Sequence, residues 1–244
     1  MSERPILFSA PMVLAILDGR KTVTRRVVSL REFQRSTTRG HDWTFRDKSA
    51  RWQDYRNDDF LERRSPYGKV GDRLWVRETC ALGTWWWERD EVNILFRATD
   101  PRMGEAPDHI IKLDQVGFEW ADRQCARQRH GTPVWSPASH MPRIASRLTL
   151  EVTGVRVERL QEITEEDAKR EGLTPPVQMP AKINGKRGLI WCYEARDAFA
   201  RLWDALNGKR HGCSWAANPW VWVVAFKRVE QSAVSGNAFA AGGA

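Results

Sequence analysis

Long hydrophobic runs are missing from this chain of 244 residues. A membrane-spanning helix needs about 18 or more consecutive apolar residues, and no stretch of the sequence reaches that length. Cysteine is also scarce, and the four that occur are widely separated: Cys80, Cys125, Cys192 and Cys213. Because no export signal is recognisable either, we expect a soluble cytoplasmic protein with no disulfide framework and no membrane partner.

Standard catalytic motifs are also absent. The sequence has no glycine-rich phosphate loop, no dinucleotide fingerprint, no GxSxG elbow and no HExxH pair. Two sets of residues are candidates for zinc ligands, Cys125 with His130 and His140, or His211 with Cys213, but neither has the paired spacing typical of zinc sites. The sequence therefore predicts no metal ion and no cofactor.

Basic residues are in excess. The chain has 39 Lys and Arg against 31 Asp and Glu, which gives a formal net charge of +8. A positive field attracts polyanions, so a nucleoside or nucleic-acid partner is favoured, with DNA and RNA both open. Hydrophobic residues make up 41% and charged residues 29% of the chain, which excludes general disorder.

Short strands mixed with two or three helices predict an α+β fold, because they lack the strict alternation of a doubly wound sheet. We expect a small mixed β-barrel with peripheral helices, formed by residues 1–230 as one domain. Alternation in 147–157, broken by a Thr-Gly turn signal, predicts a hairpin, and the doubly apolar run 220–226 predicts a central strand. The Ala- and Gly-rich segment 231–244 is predicted to be a disordered tail.

A large charged insertion is predicted at about 29–67, where the apolar pattern disappears. Five aromatic residues are scattered through it: Trp43, Phe45, Trp52, Tyr55 and Phe60. One interpretation is a solvated surface excursion. The other is a clamp in which basic residues neutralise phosphates and aromatic rings stack on bases.

Two short helices frame the most informative segment. Pro11 suits the first turn of one helix, and Gly19 suits its end. Thr164 has the capping-box spacing to begin the other, which Gly172 ends. The first helix runs directly into the polar segment 19–26, whose β-branched residues favour a strand.

The chain resembles the ASCH family, which has a PUA-like barrel, in four segments that occur in the family's order: "ILDGRKTVTRR", "GDRLWVRET", "ITEEDAKREGL" and "NPWVWVVAFKRV". Phage and prophage-encoded members are similar also around "HMPR-ASR". The resemblance implies a groove beside residues 19–24 that receives a nucleoside or a nucleic-acid base. It also implies, from the branch that hydrolyses the acetyl amide of 4-acetylcytidine, catalytic roles for Lys21, Thr24 and Glu171. The chain departs from that branch in its double length, its insertion and its Arg25-Arg26 pair.

Amide hydrolysis needs a nucleophile, a base and positive charge at the developing oxyanion. Thr24 supplies a hydroxyl, and either Lys21 with a lowered pKa or Glu171 serves as the base. In the second case Lys21 stabilises the oxyanion. The alternative is structural, with Lys21 and Arg20 as partners of the helix C-terminus and Glu171 as a solvated helix residue.

Further residues are candidates for contacts to the ligand. Near the motif these are Arg20, Thr22, Arg25 and Arg26. Three consecutive indoles cannot all face inward from one strand, so a stacking platform for a base is expected among Trp85, Trp86 and Trp87.

Three hypotheses follow. The leading one is a protein that binds a nucleoside or base in a basic aromatic groove and hydrolyses an acylated exocyclic amine. The second is a non-catalytic reader of modified or single-stranded nucleic acid. A nuclease is the third, and it is disfavoured because no acidic cluster for two metal ions accompanies the motif.

Overall fold

A computed structural model describes residues 1–29, 31–99, 109–128, 132–183 and 186–229. These residues form thirteen strands and five α-helices, which confirms the predicted α+β class. The strands are β1 Glu3–Leu7, β2 Val23–Val27, β3 Arg31–Arg35, β4 Trp43–Arg46, β5 Trp52–Tyr55, β6 Arg73–Arg77, β7 Cys80–Trp86, β8 Glu91–Phe96, β9 Ile110–Lys112, β10 Thr149–Arg159, β11 Val177–Ile183, β12 Lys186–Cys192 and β13 Trp220–Val229. The helices are α1 Ala10–Leu17, α2 Asn57–Arg64, α3 Gln115–Cys125, α4 Glu165–Arg170 and α5 Ala195–Asn207. The predicted tail 231–244 and His130 lie outside the described residues.

The largest sheet has five strands in the order β1-β6-β10-β13-β2. Strand β13 is central, as predicted, and both of its faces are buried. Val221 and Val223 pack on one face with residues of α5, whereas Trp222 and Val224 pack into a second core on the other. Because β2 pairs only with β13 among the described strands, it forms an edge of this sheet.

The segment predicted as a hairpin is a single long strand, so that prediction is wrong. Strand β10 pairs with β13 along its whole length, and the register shifts by one residue between Val152 and Gly154. The Thr153-Gly154 pair is therefore a β-bulge, not a turn. The physical reason is the ten-residue β13, which offers a continuous partner to both halves of β10.

The other strands form three smaller sheets: β3-β4-β5, β7-β8-β9 and the hairpin β11-β12. None of the four sheets formed by the described residues closes into a barrel. No helix in the described part of the chain is long and apolar enough to span a membrane.

The region 29–67 is folded into the main core, so its interpretation as a solvated excursion is wrong. Trp43, Phe45 and Phe60 are each at most 3% exposed, and the ring of Phe60 stacks on Trp222 at 5.1 Å between centroids. Buried rings cannot stack on bases, which removes these three from the proposed clamp. Trp52, by contrast, is 49% exposed.

Candidate active site

The turn after α1 delivers Lys21 to the site. Gly19 adopts a φ of +73°, the left-handed conformation expected of a glycine after a helix. The Lys21 backbone N–H then donates to the Ala15 carbonyl at 2.8 Å, and Lys21 pairs with Glu171 in an isolated antiparallel β-bridge. This backbone bridge brings together two residues that are 150 positions apart.

Helix α4 positions Glu171. Thr164 caps the helix as predicted, because its hydroxyl accepts a hydrogen bond from the Asp167 N–H at 3.1 Å. Glu171 occupies the C-cap, and Gly172 follows with a φ of +97°. A Cβ on Gly172 would lie 2.8 Å from the Ala15 Cβ, so only glycine lets α1 and α4 approach this closely.

The Lys21 ammonium is enclosed by three oxygen atoms. Its Nζ lies 2.5 Å from Glu171 Oε2, 3.0 Å from the Glu171 carbonyl and 2.9 Å from the Val23 carbonyl. The Lys21 and Glu171 side chains are only 0% and 6% exposed. Three acceptors match the three N–H groups of a protonated lysine, whereas a neutral amine has two. The resting site therefore holds Lys21 charged against Glu171.

Burial nevertheless makes this proton easier to lose than that of an ordinary lysine. Desolvation lowers the pKa of Lys21, and the Glu171 carboxylate, which acts in the opposite direction, does not overcome it. Burial is thus the larger of the two effects on the pKa of Lys21.

Arg25 is the centre of a buried ion cluster. Its Nε and Nη2 both donate to Glu158 Oε1, at 2.9 and 2.7 Å, and Nη2 also donates to Asp167 Oδ2 at 2.7 Å. Partial burial acts to raise the pKa of Asp167, but the hydrogen bonds and charges of Arg25 and Arg156 outweigh it and lower the pKa. The Arg25 side chain is fully buried and held by two carboxylates, so most of its charge is already neutralised within the protein.

Two buried atoms in this cluster have no hydrogen-bond partner among the described residues. They are Arg25 Nη1 and Glu171 Oε1, which lie 3.5 Å apart. At this distance they form an ion pair but no hydrogen bond. Because buried polar groups are almost always hydrogen-bonded, a ligand that binds here can supply the missing hydrogen bond to each atom.

A cavity of about 190 Å³ opens beside these atoms. Its lining combines β2 and the end of α4 with one face of α5 and a few residues from other segments: Met12, Thr24, Arg25, Arg26, Val27, Ser29, Tyr67, Glu171, Phe199, Leu202, Trp203, Leu206, Asn207 and Arg210. Thr24, the predicted nucleophile, is thus brought to the same cavity as Glu171. Lys21 lies behind Glu171, outside the lining.

The free edge of β2 also faces this cavity. Phe226 donates to the Thr22 carbonyl and Val28 donates to the Trp220 carbonyl, which sets the alternation of hydrogen-bonded pairs between β2 and β13. Arg25 occupies a non-hydrogen-bonded position of that ladder, so its backbone N–H and C=O point away from β13. A planar ligand can pair with them as a neighbouring strand would.

The remaining predicted residues divide into two groups. Arg26 lines the cavity, and its Nη2 donates to the Leu7 carbonyl at 2.6 Å. Arg20 and Thr22 flank α4 outside the cavity: Arg20 Nη1 donates to the Gly172 carbonyl at 2.9 Å, and the Thr22 hydroxyl accepts from Arg170.

The tryptophan segment lies elsewhere. Trp85 and Trp86 end β7 in the sheet β7-β8-β9, Trp87 begins the turn after it, and neither Trp85 nor Trp86 lines the cavity. Trp85 is half-buried against that sheet's own core, and Trp86 is exposed. Trp85 and Trp86 therefore form no stacking platform at the site, because β7 and β8 pack on a separate core.

Sequence reasoning missed Glu158, Asp167 as a partner of Arg25, and the wall of the cavity formed by Phe199 and Trp203. Asp167 was recognised only as part of a helix cap. Glu158 is 133 residues from Arg25, and no local spacing indicates such a pair. The apolar spacing of α5 indicates only a helix face that packs on a core, and its contact with the cavity carries no separate sequence signal.

Comparison of the chain with protein-family models, with curated proteins and with solved structures gives no match. Within the described residues, no group of three or more His, Cys, Asp or Glu side chains is arranged to hold a metal ion.

Proposed function

We propose that the chain binds a nucleoside or nucleic-acid base in this cavity and hydrolyses the amide of an acylated exocyclic amine such as that of acetylcytidine. The proposal includes membership of the ASCH family, with the five-stranded sheet as an open counterpart of the PUA-like barrel. One observation carries it: a fully buried Lys21 lies 2.5 Å from Glu171 at the wall of a cavity that Thr24 also lines. These are the three residues that the motif resemblance selects.

The contacts support one division of roles between Lys21 and Glu171. All three N–H groups of Lys21 are donated to protein oxygens, so its amine has no free lone pair with which to accept a proton. Glu171 lines the cavity, and its Oε1 accepts no hydrogen bond from the described residues, which suits a general base. Lys21 then orients Glu171 by donating to Oε2.

The reaction balances with these groups. The Thr24 hydroxyl adds to the acyl carbon and passes its proton to Glu171 Oε1, while the carbonyl oxygen becomes an oxyanion. When the C–N bond breaks, Glu171 returns the proton to the departing exocyclic amine. Water then attacks the threonine ester with Glu171 again as base, which releases the carboxylic acid and restores Thr24.

The size and walls of the cavity favour a single base. Its volume of about 190 Å³ is below the ~300–1,000 Å³ of typical ligand pockets, so it encloses only a small group such as one base. Phe199 and Trp203 provide an apolar wall, and the free edge of β2 offers a donor and an acceptor to the rim of a base. The basic Arg26 and Arg210 border the opening, where a sugar or phosphate would lie.

The test is hydrolysis of acetylcytidine by purified variants. Lys21→Ala and Glu171→Gln should each lower the rate by about 10²-fold or more, the usual effect of losing acid–base chemistry. Thr24→Ser should keep activity, and Thr24→Val should lose it. Lys169→Ala and Glu166→Gln, exposed on the same helix, are the matched controls. Thermal melting of each variant separates loss of chemistry from loss of fold.

Two results would contradict the proposal. Equal rates in Glu171→Gln and Glu166→Gln would remove Glu171 from the chemistry. Tight binding of acylated or unmodified nucleosides without turnover would replace the enzyme with a non-catalytic reader.

A further inference from the structure

The roles assigned above leave one requirement of amide hydrolysis unmet. The oxyanion of the tetrahedral intermediate needs a hydrogen-bond donor aimed at it. Lys21 is the nearest cation to Glu171, but its three N–H groups are already donated to Val23 and to two oxygens of Glu171. A different group must therefore donate to the oxyanion.

Arg25 has the free donor. Its Nε and Nη2 are held by Glu158 and Asp167, whereas the buried Nη1 makes no hydrogen bond in the described part of the chain; Arg25 is one of the residues that line the cavity. Nη1 lies 3.5 Å from Glu171 Oε1, too far for a strong hydrogen bond but close enough for both atoms to contact one acyl group.

We propose that Arg25 is a further catalytic residue, whose Nη1–H donates to the carbonyl oxygen of the substrate amide and to the oxyanion that forms from it. This inference rests on the proposed amide hydrolysis. Within that reaction, Glu171 Oε1 handles the proton, and the neighbouring Arg25 Nη1, 3.5 Å away, contacts the carbonyl oxygen of the same acyl group. The proton transfers described above are unchanged, because Arg25 donates a hydrogen bond and keeps its proton.

The surroundings of Arg25 suit this role because they fix the guanidinium before substrate arrives. Glu158 and Asp167 hold two of its three nitrogens, and the Cζ atom of the guanidinium lies 6.0 Å from the centre of the Phe199 ring. A donor that needs no rearrangement stabilises a developing charge more than a mobile one.

The experiment compares Arg25→Lys with Arg156→Lys. Arg156 binds the same two carboxylates, but it is 47% exposed and does not line the cavity. A lysine keeps the charge at position 25 but lacks the planar fork that reaches both carboxylates and the acyl oxygen. We expect kcat for acetylcytidine to fall about 10²- to 10³-fold in Arg25→Lys, the loss typical of one oxyanion donor, with the Kd for acetylcytidine nearly unchanged. Arg156→Lys should keep wild-type kcat.

A second measurement separates this role from support of the fold. A phosphonamidate analogue of the acylated base mimics the tetrahedral intermediate, and its affinity should fall in Arg25→Lys in parallel with kcat. If Arg25→Lys does not fold, NMR of the wild-type protein with labelled arginine decides: the Arg25 Nη1–H signal should move downfield when the analogue binds, and an unmoved signal overturns the inference.

The possible failures are distinguishable. A folded Arg25→Lys that retains wild-type kcat, in a protein that hydrolyses acetylcytidine, overturns the role of Arg25 alone. No turnover by the wild-type protein overturns the proposed function and this inference together. A parallel loss in Arg156→Lys would show that the carboxylate cluster, rather than the Nη1 donor, is what the reaction needs.

Discussion

Gly172 sets the distance between α1 and α4, and its replacement by alanine is the sharpest test of how the site is held. Two penalties combine at this position. An L-residue at a φ of +97° is strained by about 1–2 kcal/mol, and the new Cβ would lie 2.8 Å from the Ala15 Cβ and 3.2 Å from the Lys21 Cβ. Overpacking of this kind costs about 1–3 kcal/mol more.

Gly19→Ala is the matched control. Gly19 also has a positive φ, of +73°, but a Cβ there would meet no atom within 4 Å. We therefore expect about 1–2 kcal/mol for Gly19→Ala and about 2–5 kcal/mol for Gly172→Ala. In a chain of this length each kcal/mol lowers the melting temperature by about 2–4 °C, so the two variants should melt well apart.

The assay is thermal unfolding followed by circular dichroism, with acetylcytidine hydrolysis measured on the same samples. Gly172→Ala should lose activity at temperatures where it is still folded, because the Cβ displaces Lys21. A double variant adds a further test. Ala15→Gly removes the atom that the new Cβ would meet, so it should be less harmful in the Gly172→Ala background than alone. Coincident melting of Gly19→Ala and Gly172→Ala would refute the close-approach reasoning.

Two further predictions concern the fold outside the site. Phe60→Ala should lower the free energy of unfolding by about 3–5 kcal/mol, because Phe60 is fully buried against Trp222. Trp52→Ala, at an exposed position of the same region 29–67, should change it by less than about 0.5 kcal/mol. Equal melting temperatures of the two variants would contradict the assignment of Phe60 to the core. Hydrogen bonding from the Ser2 backbone N–H lowers the pKa of Asp72 from 3.8 to about 2. The stability that Asp72 contributes is therefore complete above pH 3.8 and is lost as the pH falls toward 2. The melting temperature of Asp72→Asn should depend less on pH in that interval than that of the wild-type protein. The same pH dependence in both proteins would contradict this.

Local signals in the sequence were sufficient for the elements that hold the site. The helix between Pro11 and Gly19, the cap at Thr164 and the positive φ of Gly172 all follow from the backbone preferences of single residues. The run 220–226 predicted a central strand for a different reason: a strand that is buried on both faces needs apolar residues at successive positions.

Long-range pairing could not be predicted in the same way. The hairpin prediction for 147–157 failed because a Thr-Gly pair occurs both in turns and in β-bulges. Which of the two forms depends on the partner strand, here β13. Region 29–67 was misjudged because its buried aromatic residues are isolated between charges, so no apolar period reveals them. The carboxylates that bind Arg25 could not be predicted because they are 133 and 142 residues away in sequence.

The pairing of β2 with β13 has a consequence for the order in which the chain folds during synthesis. Strand β2, which begins near residue 23, has its only described pairing in the sheet with residues 221–225. During synthesis Lys21 and Thr24 therefore leave the ribosome long before the strand that orders them exists, and Glu171 joins them across 150 residues. Such non-local contacts form slowly. The proposed catalytic groups should come together late in folding, so a nascent chain stalled before residue 220 would carry every proposed catalytic residue without the strand that pairs with β2.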